Sequence, residues 1–317
     1  MFVSQSTLDD IDLPLDDRRD GKVRVSYALP NGRRLFVTTD RLSAFDRIIA
    51  SVPFKGQVLN QLSAWWFEQT TDLVPNHLLS VPDPNVLIAR AATPLTVEVV
   101  VRGYITGVTD TALWTQYASG ERVLYGHRLP DGLTKNSRLD RPIVTPTTKG
   151  EHGSHDVPLS CDDVSARGLV PAALWGRVQD AALALFDRGS ERGARSGLIL
   201  ADTKYEFGLT ADGELLLIDE VHTPDSSRWW IEPTYADRLD RGAEPESLDK
   251  EVVRLALADA GYSGDGPVPT LAPEVWAATT ARYIDAFERL TGTDFVPGRY
   301  PAGPRIHAAL AGLEIYS

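Results

Sequence analysis

Between residues 200 and 220, the pattern of apolar and polar positions predicts two adjacent strands that bring ionisable groups together. Asp202, Lys204 and Glu206 alternate along one extended run, so their side chains would point to the same side of a strand. A turn signal follows, and an apolar run at 215–218 then ends at Asp219-Glu220. A surface hairpin does not require an apolar strand that ends in two acids. The pattern therefore indicates a site suited to a divalent metal and a phosphate.

Other periodic segments predict the elements that precede this hairpin. Residues 21–39 have the pattern of a hairpin with an Asn-Gly turn, and residues 59–67 repeat apolar positions at helical spacing. Residues 75–94 are rich in Pro, Asn and Asp, which predicts loop with short strands. An apolar strand is predicted to follow at 97–101.

We expect the chain to divide just before that strand, into residues 1–92 and residues 93–317. Residues 103–160 are turn-rich and polar, with few long periodic elements, which is typical of a functional loop or of a stretch that contains small hidden elements. Helical spacing returns at 174–185, and a last helix is predicted at 273–290.

The composition is that of an ordinary globular protein, with 43% hydrophobic and 24% charged residues among 317. The net charge of −12 argues against a nucleic-acid binder, so an anionic substrate would need a local basic pocket. A single cysteine, Cys161, excludes an intrachain disulfide and fits a reducing compartment. The N-terminus lacks a secretion-signal pattern, and no apolar run approaches ~18 residues. We therefore expect a cytoplasmic protein without a membrane partner.

Glu206 and Asp219 are the candidate metal ligands. Carboxylate oxygens suit Mg²⁺, which usually takes one or two of them together with nucleotide phosphates. The alternative is a pair of cross-strand carboxylates solvated at a sheet edge. Lys204, between two acids, is equally compatible with an ordinary cross-strand ion pair. The spacing alone leaves these alternatives open.

Lys22 and Arg24 follow a glycine at the start of a predicted strand, where a backbone can approach a phosphate closely. The Walker pattern is absent from the chain, and a solvated basic strand start is the simpler explanation.

The segment 223–230, TPDSSRWW, offers backbone donors, hydroxyls such as that of Ser227, and the guanidinium of Arg228. These groups can seat a phosphate monoester. A helix N-cap formed by Asp225 or Ser226 is the alternative. The two tryptophans are predicted to lie in the core.

A polar stretch near residue 155 contains His152, His155 and Asp156. No third soft ligand is close in sequence, which disfavours zinc. His155 and Asp156 are therefore candidates for binding or polarising a substrate. His127 and His222 are predicted to be structural.

Taken together, nine segments of the chain resemble the family of phosphoribosylaminoimidazole-succinocarboxamide synthases, also called SAICAR synthetases. No single segment is specific, but they occur in the family's order. They are GKVR (21–24), TTDRLSAFD (38–46), VLNQLSAWWF (58–67), VEVVVRGYITG (97–107), HRLPDGL (127–133), TPTTK (145–149), LADTKYEFG (200–208), IDEVHTPDSSRWW (218–230) and SLDK (247–250).

The resemblance implies an α+β fold with a small, twisted antiparallel N-terminal lobe, a larger lobe similar to ATP-grasp enzymes, and the active site in the cleft between them. It implies a carbon–nitrogen ligase that uses ATP and Mg²⁺ to join L-aspartate to a carboxyaminoimidazole ribonucleotide. The products would be the succinocarboxamide (SAICAR), ADP and phosphate, in de novo purine biosynthesis. A monomer or homodimer is expected.

The resemblance also implies roles for individual residues. Lys22 resembles the family's nucleotide-phosphate lysine, and Glu206 and Asp219 resemble its metal-linked acids. Asp202 and Lys204 resemble the pair that faces the imidazole nucleotide, and with Arg228 they form the implied catalytic set. The other implied nucleotide-binding residues are Arg24, Pro94 and Leu95, and the substrate-binding residues are Arg102, Thr109, His155, Asp156, Ser227, Arg228, Asp249 and Lys250.

The chain departs from the family's usual residues at several positions. Val25 replaces a frequent aspartate, and Val108 replaces a serine whose hydroxyl Thr109 can supply instead. Ser154 and Val157-Pro158 replace two acids and an amide. These departures motivate one alternative, a paralogue with the same chemistry on an altered azole nucleotide in secondary metabolism. A small-molecule kinase and a non-catalytic nucleotide-binding regulator are alternatives from other classes.

Overall fold

The computed structural model describes residues 7–45, 47–108, 112–149, 157–262, 264 and 266–313. Its strands are β1 (Arg19–Asp20), β2 (Arg24–Leu29), β3 (Arg33–Thr38), β4 (Arg41–Ala44), β5 (Arg47–Ser51), β6 (Leu78–Asp83), β7 (Val86–Arg90), β8 (Thr93–Pro94), β9 (Val97–Tyr104), β10 (Val123–Leu124), β11 (His127–Arg128), β12 (Arg138–Thr148), β13 (Leu198–Leu209), β14 (Leu215–Ile218) and β15 (Ser227–Ile231). Its helices are α1 (Lys55–Gln69), α2 (Leu113–Ala118), α3 (Cys161–Ala166), α4 (Ala172–Arg195), α5 (Glu232–Asp240), α6 (Glu251–Asp259), α7 (Pro273–Thr291) and α8 (Ala302–Ala311).

The first sheet is antiparallel and has the order β1-β2-β3-β7-β6. Its centre is the predicted N-terminal hairpin, which is confirmed. Asn31 and Gly32 have φ angles of 59° and 64°, as a type I′ turn requires, and Asn and Gly adopt this left-handed region most readily.

The second sheet is also antiparallel and has the order β12-β9-β13-β14, with β8 and β15 pairing to β13. The predicted strand at 97–101 and the hairpin of β13 and β14 are confirmed. Strand β12 was not predicted, because its arginines and prolines interrupt the apolar pattern. It is the last strand in the order of this sheet, and proline is tolerated in edge strands because few ladder bonds form on their outer side.

The predicted helices are confirmed as α1, α4 and α7, and α7 ends at Gly292. Helix α8 was not predicted, since Gly303 and Pro304 in its first turn hide the helical pattern. Proline is tolerated there because the first N–H groups of a helix have no intrahelical partner. Within the described residues, every helix is too short or too polar to cross a membrane.

Two clusters of buried side chains hold the sheets in place. The larger cluster joins both sheets, because Leu87 of β7 packs in the same group as Val99 of β9 and Phe207 of β13, together with Trp66 of α1. The other face of the first sheet is covered by α8 and by apolar residues of the irregular N-terminal segment. These clusters fix the two sheets against α1, which forms part of the site described below.

Helix α1 approaches the first sheet most closely at Gly56. A Cβ atom at Gly56 would lie 2.3 Å from the carbonyl oxygen of Thr38 and 2.8 Å from that of Thr39. The N–H of Gly56 also donates to the buried carboxylate of Asp40 at 2.8 Å. Only glycine therefore allows this contact between the helix and the sheet.

We expect Gly56→Ala to lower the free energy of unfolding by about 3 kcal/mol or more, because two backbone segments would have to move apart. Urea denaturation measures this change. The control is Gly176→Ala in α4, where an added Cβ meets nothing within 4 Å. It should raise stability by up to about 1 kcal/mol. Equal effects of the two substitutions would contradict the contact.

Candidate active site

The larger cavity, about 480 Å³, lies where the two sheets meet α1. Its walls come from the first sheet, the second sheet and α1, and several of its residues are charged. The lining residues are Arg19, Arg24, Ser26, Arg34, Phe36, Asn60, Ser63, His77, Leu87, Arg90, Ala91, Ala92, Thr93, Pro94, Glu206, Leu209, Ala211, Ile218 and Asp219. A cavity of this size, with apolar walls and a few charged groups, suits a nucleotide.

Arg24 joins the two sheets at the charged end of this cavity. Its guanidinium forms ion pairs with Asp219 and, at 3.0 Å, with Glu220. Asp219 follows directly after β14 and has a φ angle of 69°, a left-handed conformation that Asp adopts more readily than most residues. Burial raises the pKa of Glu220, although the positive charge of Arg24 acts in the opposite direction. The arginine is therefore positioned by acids of the second sheet.

Lys204 and Glu206 form a compact charged group on β13. The Lys204 Nζ atom lies 2.7 Å from Glu98 and 3.0 Å from Glu206, and Lys149 also pairs with Glu206. Burial alone would raise the pKa of Glu206, but Lys204 and Lys149 outweigh it and hold that pKa well below its usual range. Glu206 is therefore a carboxylate at neutral pH, as a ligand for a hard cation must be.

Asp202 lies at the other end of the same strand face, between two arginines. Its carboxylate accepts hydrogen bonds from Arg102 at 3.0 Å and from Arg228 at 2.5 Å. The strand register accounts for this, because Asp202 pairs with Arg102 on β9 and with Arg228 on β15. Two guanidiniums share one carboxylate, so the group keeps a net positive charge that can attract an anion.

A second cavity, about 250 Å³, opens next to Arg228. Its lining includes four basic and four acidic residues, and the turn after β9 forms one wall. The lining residues are Thr106, Gly107, Val108, Lys135, Arg228, Trp230, Arg238, Glu244, Pro245, Glu246, Ser247, Asp249, Glu251, Val252, Leu255 and Arg282. Burial and the nearby Glu251 raise the pKa of Asp249 to about 6. Strand β13 therefore connects the two cavities. Its Glu206 lines the first cavity, and its Asp202 bonds to Arg228, which lines the second.

The segment 223–230 forms turns that lead into β15, so the alternative of a helix N-cap is wrong. Asp225 instead accepts a hydrogen bond from Lys55 of α1 at 2.7 Å, and the Tyr283 hydroxyl donates to the same carboxylate. The Ser227 hydroxyl is buried and bonds to that of Thr203 at 2.8 Å. Both tryptophans of the segment are buried, as predicted.

Several predicted residues lie elsewhere. Lys22 is exposed in the bend before β2 and is outside the lining of the first cavity, whereas Pro94 is part of that lining. Leu95 donates its N–H to the Phe207 carbonyl at 2.8 Å.

Lys250 precedes α6, and burial lowers its pKa. His222 is buried, and the ring of His127 contacts the Val144 carbonyl at 2.8 Å. Thr109, His152, His155 and Asp156 lie outside the described residues.

Sequence reasoning missed three charged residues of the site: Glu98, Lys149 and Lys55. The signal for Glu98 was present, because it alternates with Arg102 along β9 and both therefore face the same side. Lys149 ends one of the segments that resemble a known family, but no role was assigned to it. Lys55 gave no signal, since its partner Asp225 is 170 residues away.

The fold and the two cavities define an α+β protein with a nucleotide-sized site beside a smaller cavity of mixed charge around Arg228, the anion pocket. A family model described as SAICAR synthetase matches residues 17–269. The phosphoribosylaminoimidazole-succinocarboxamide synthase of Legionella pneumophila (strain Lens) is 48% identical over 298 residues, which cover 94% of each chain. The chloroplastic enzyme of that name from Arabidopsis thaliana is 46% identical over 295 residues, covering 92% of this chain and 71% of that protein.

A solved structure, SAICAR-synthase from Saccharomyces cerevisiae complexed with SAICAR, superposes with a TM-score of 0.78 and 32% identity. It covers 91% of this chain, and this chain covers 99% of that one. The chain belongs to the SAICAR synthetase family.

The buried Lys55–Asp225 pair is expected to hold the turn that precedes Ser227. Lys55→Met keeps the volume of the side chain but leaves the Asp225 carboxylate buried without its cation. We expect the free energy of unfolding to fall by about 3–5 kcal/mol. The double variant Lys55→Met/Asp225→Asn should recover most of this loss, since it buries no uncompensated charge.

Chemical denaturation of the single and double variants measures this coupling. Lys135→Met is the control, because its partner Glu244 is half exposed and such pairs contribute about 1 kcal/mol or less. Equal losses in the double variant and in Lys55→Met would contradict the coupling.

Proposed function

We propose that the protein condenses L-aspartate with 5-amino-1-(5-phospho-D-ribosyl)imidazole-4-carboxylate, forming SAICAR while ATP is converted to ADP and phosphate. This is the ligase step of purine biosynthesis for which the family is named. The observation that carries this function is the course of β13. One face of this strand bears Glu206 at the nucleotide-sized cavity and Asp202 beside Arg228 of the anion pocket, with Lys204 between them.

The reaction requires a carboxylate to become an electrophile. A carboxylate oxygen of the imidazole nucleotide attacks the terminal phosphorus of ATP, the bond from that phosphorus to ADP breaks, and an acyl phosphate forms. The amine of aspartate then attacks the acyl carbon, phosphate leaves, and the amine loses a proton. No covalent protein nucleophile takes part. Catalysis therefore depends on positioning and charge neutralisation, which a cluster of Lys and Arg can provide.

The nucleotide would occupy the larger cavity. Its phosphates would lie near Arg24, with Lys22 reaching them from the bend before β2. The adenine would lie near Pro94 and Leu95, where the chain passes from the first sheet to the second. The lining supports this placement, because it offers apolar residues for the base and arginines for the phosphates.

Glu206 and Asp219 fit a magnesium site that is completed by the nucleotide. Within the described parts of the chain, no group of three or more His, Cys, Asp or Glu side chains is placed to hold a metal alone. Two carboxylates suit Mg²⁺, because this ion usually takes one or two of them and draws its other ligands from water and phosphate. Bound there, Mg²⁺ would neutralise charge on the transferring phosphoryl group. Lys149 and Arg24 form ion pairs with these acids. When the nucleotide binds, both basic side chains would pair with its phosphates instead.

The imidazole nucleotide would extend from Lys204 to the anion pocket. Lys204 is 2.7 Å from Glu98, stays protonated because its acidic partners raise its pKa, and can stabilise the negative oxygen of the acyl phosphate. Arg102 and Arg228, oriented by Asp202, would bind the ribonucleotide phosphate and carboxylate.

The remaining substrate contacts belong to the turns around the pocket. Thr109 and Ser227 would offer hydroxyls to the ribonucleotide, and Asp249 and Lys250 lie beside the same pocket. His155 and Asp156 would be among the substrate-binding residues, as the family resemblance implies, and residues 150–160 are where contacts to aspartate are to be sought.

We also propose that residues 1–92 and 93–317 act as two lobes that enclose the nucleotide, the larger resembling ATP-grasp enzymes. Helix α8 would belong to the smaller lobe in space, since it packs on the first sheet. We expect a cytoplasmic monomer or homodimer.

The assay that tests the function measures ADP release with each substrate alone and with all substrates combined. We expect release to require both L-aspartate and the imidazole nucleotide. Glu206→Gln and Asp219→Asn should lower kcat by 100-fold or more, because each removes a charge that holds the metal–nucleotide. ADP release without aspartate would instead support a kinase. Aspartate-dependent release with a different azole nucleotide would support the paralogue.

Arg228→Ala should raise the KM for the imidazole nucleotide by about 10-fold or more, since a charge-assisted contact contributes about 1.5–3 kcal/mol. The KM for ATP should change less than the KM for the imidazole nucleotide. Arg241→Ala, at an exposed residue near the end of α5, is the control and should leave both constants unchanged. An unchanged KM for the imidazole nucleotide in Arg228→Ala would count against this placement.

A further inference from the structure

Two residues that line the nucleotide-sized cavity have a buried polar atom without a hydrogen-bond partner. The two atoms are the Ser63 Oγ atom and the His77 Nε2 atom, and both residues are at least nine-tenths buried, at 2% and 4% exposure. Among the described residues, seven buried side-chain atoms lack partners, and only these two line this cavity. An unpartnered buried polar group costs about 1–3 kcal/mol, so two of them in one cavity point to a ligand.

The backbone around His77 leaves little freedom for its ring. Its N–H donates to Leu217 of β14 at 3.1 Å, and its carbonyl accepts from Arg90 at 2.8 Å. The imidazole lies between Phe36 and Phe67, with ring centroids 5.8 and 4.9 Å away. The ring is therefore fixed in place before any ligand binds.

Ser63 lies on the same face of α1 as Phe67, one turn before the ring that contacts His77, and both Ser63 and His77 line the cavity. The neighbouring Asn60 is satisfied within the protein, because its amide donates to Pro84 and its oxygen accepts from Thr38. Ser63 and His77 thus remain the groups available to a ligand in this part of the wall.

The chemistry of the pair indicates the base of the nucleotide rather than its phosphates. Burial and the nearby charge of Arg24 lower the pKa of His77 to about 3, so the imidazole is neutral and offers one donor and one acceptor. A serine hydroxyl can also donate and accept. The phosphates need cations, whereas both members of this pair are neutral. Adenine carries a 6-amino donor beside ring-nitrogen acceptors, and these match a neutral pair.

We propose that Ser63 and His77 bind the 6-amino edge of adenine and so help to select ATP. This inference rests on the proposed function, because it requires ATP in the larger cavity. Apolar neighbours such as Phe36 and Leu87 would pack on the base while the two polar atoms fix its edge.

The test compares the binding of ATP with that of purine riboside triphosphate, which lacks the 6-amino group, by isothermal titration calorimetry. Wild-type protein should bind ATP about 3- to 10-fold more tightly than the analogue, the range expected for one hydrogen bond. Ser63→Ala and His77→Phe should each weaken ATP binding by a similar factor and leave the analogue nearly unaffected. His77→Gln, which keeps a polar group, should restore part of the difference.

Thr70→Val is the matched control on the same helix. It removes a buried hydroxyl that bonds to the Trp66 carbonyl and is outside the cavity lining. It should preserve the preference for ATP. Thermal unfolding monitors the fold, and Ser63→Ala carries the test if His77→Phe does not fold.

Equal losses for ATP and the analogue in Ser63→Ala and the histidine variants would mean a structural role and would overturn the inference. Unchanged binding of both nucleotides would overturn it as well. In either case the proposed function would stand. Failure of the wild-type protein to bind ATP would overturn the proposed function and, with it, the inference.

Discussion

The site depends on the register of β13. This strand lies between β9 and β15 over its first half and between β14 and β8 over its second. Its outward face carries Asp202, Lys204 and Glu206, while Thr203 and Tyr205 on the other face are fully buried. A slip of one residue would place three charges in the core. The packing of the core therefore also fixes the order of charges in the site.

Burying so many ionisable groups is costly unless each charge is met by an opposite one. The chain meets this condition with pairs contributed from different sheets and helices: Lys204 with Glu98, Arg24 with Glu220, and Lys55 with Asp225. Such pairs add little net stability compared with apolar packing, but they orient the groups. A ligand that brings phosphates and a cation can exchange partners with them without leaving any charge unpaired.

Local patterns in the sequence were sufficient to predict much of this arrangement. The alternation on β13 and the Asn-Gly turn depend on neighbouring residues, so hairpins and candidate acids could be predicted directly. Contacts between residues that are distant in sequence could not be predicted in this way. Asp225 has the pattern of a helix cap, yet its carboxylate binds Lys55, and β12 is a strand because β9 offers it an edge. The exposed position of Lys22 could not be predicted either, because it depends on the packing of the bend before β2.

Charged and neutral side chains of the site recognise different ligand groups, according to how strongly water competes for each group. Phosphates and carboxylates are strongly hydrated, so full charges such as Arg228 and Arg24 are needed to replace their water. A purine base is only weakly hydrated, so neutral donors and acceptors such as Ser63 and His77 can distinguish its edge once apolar walls exclude water. A charged side chain at that position would remain unpaired when the base is absent. Neutral groups there therefore allow the protein to fold stably before the nucleotide binds.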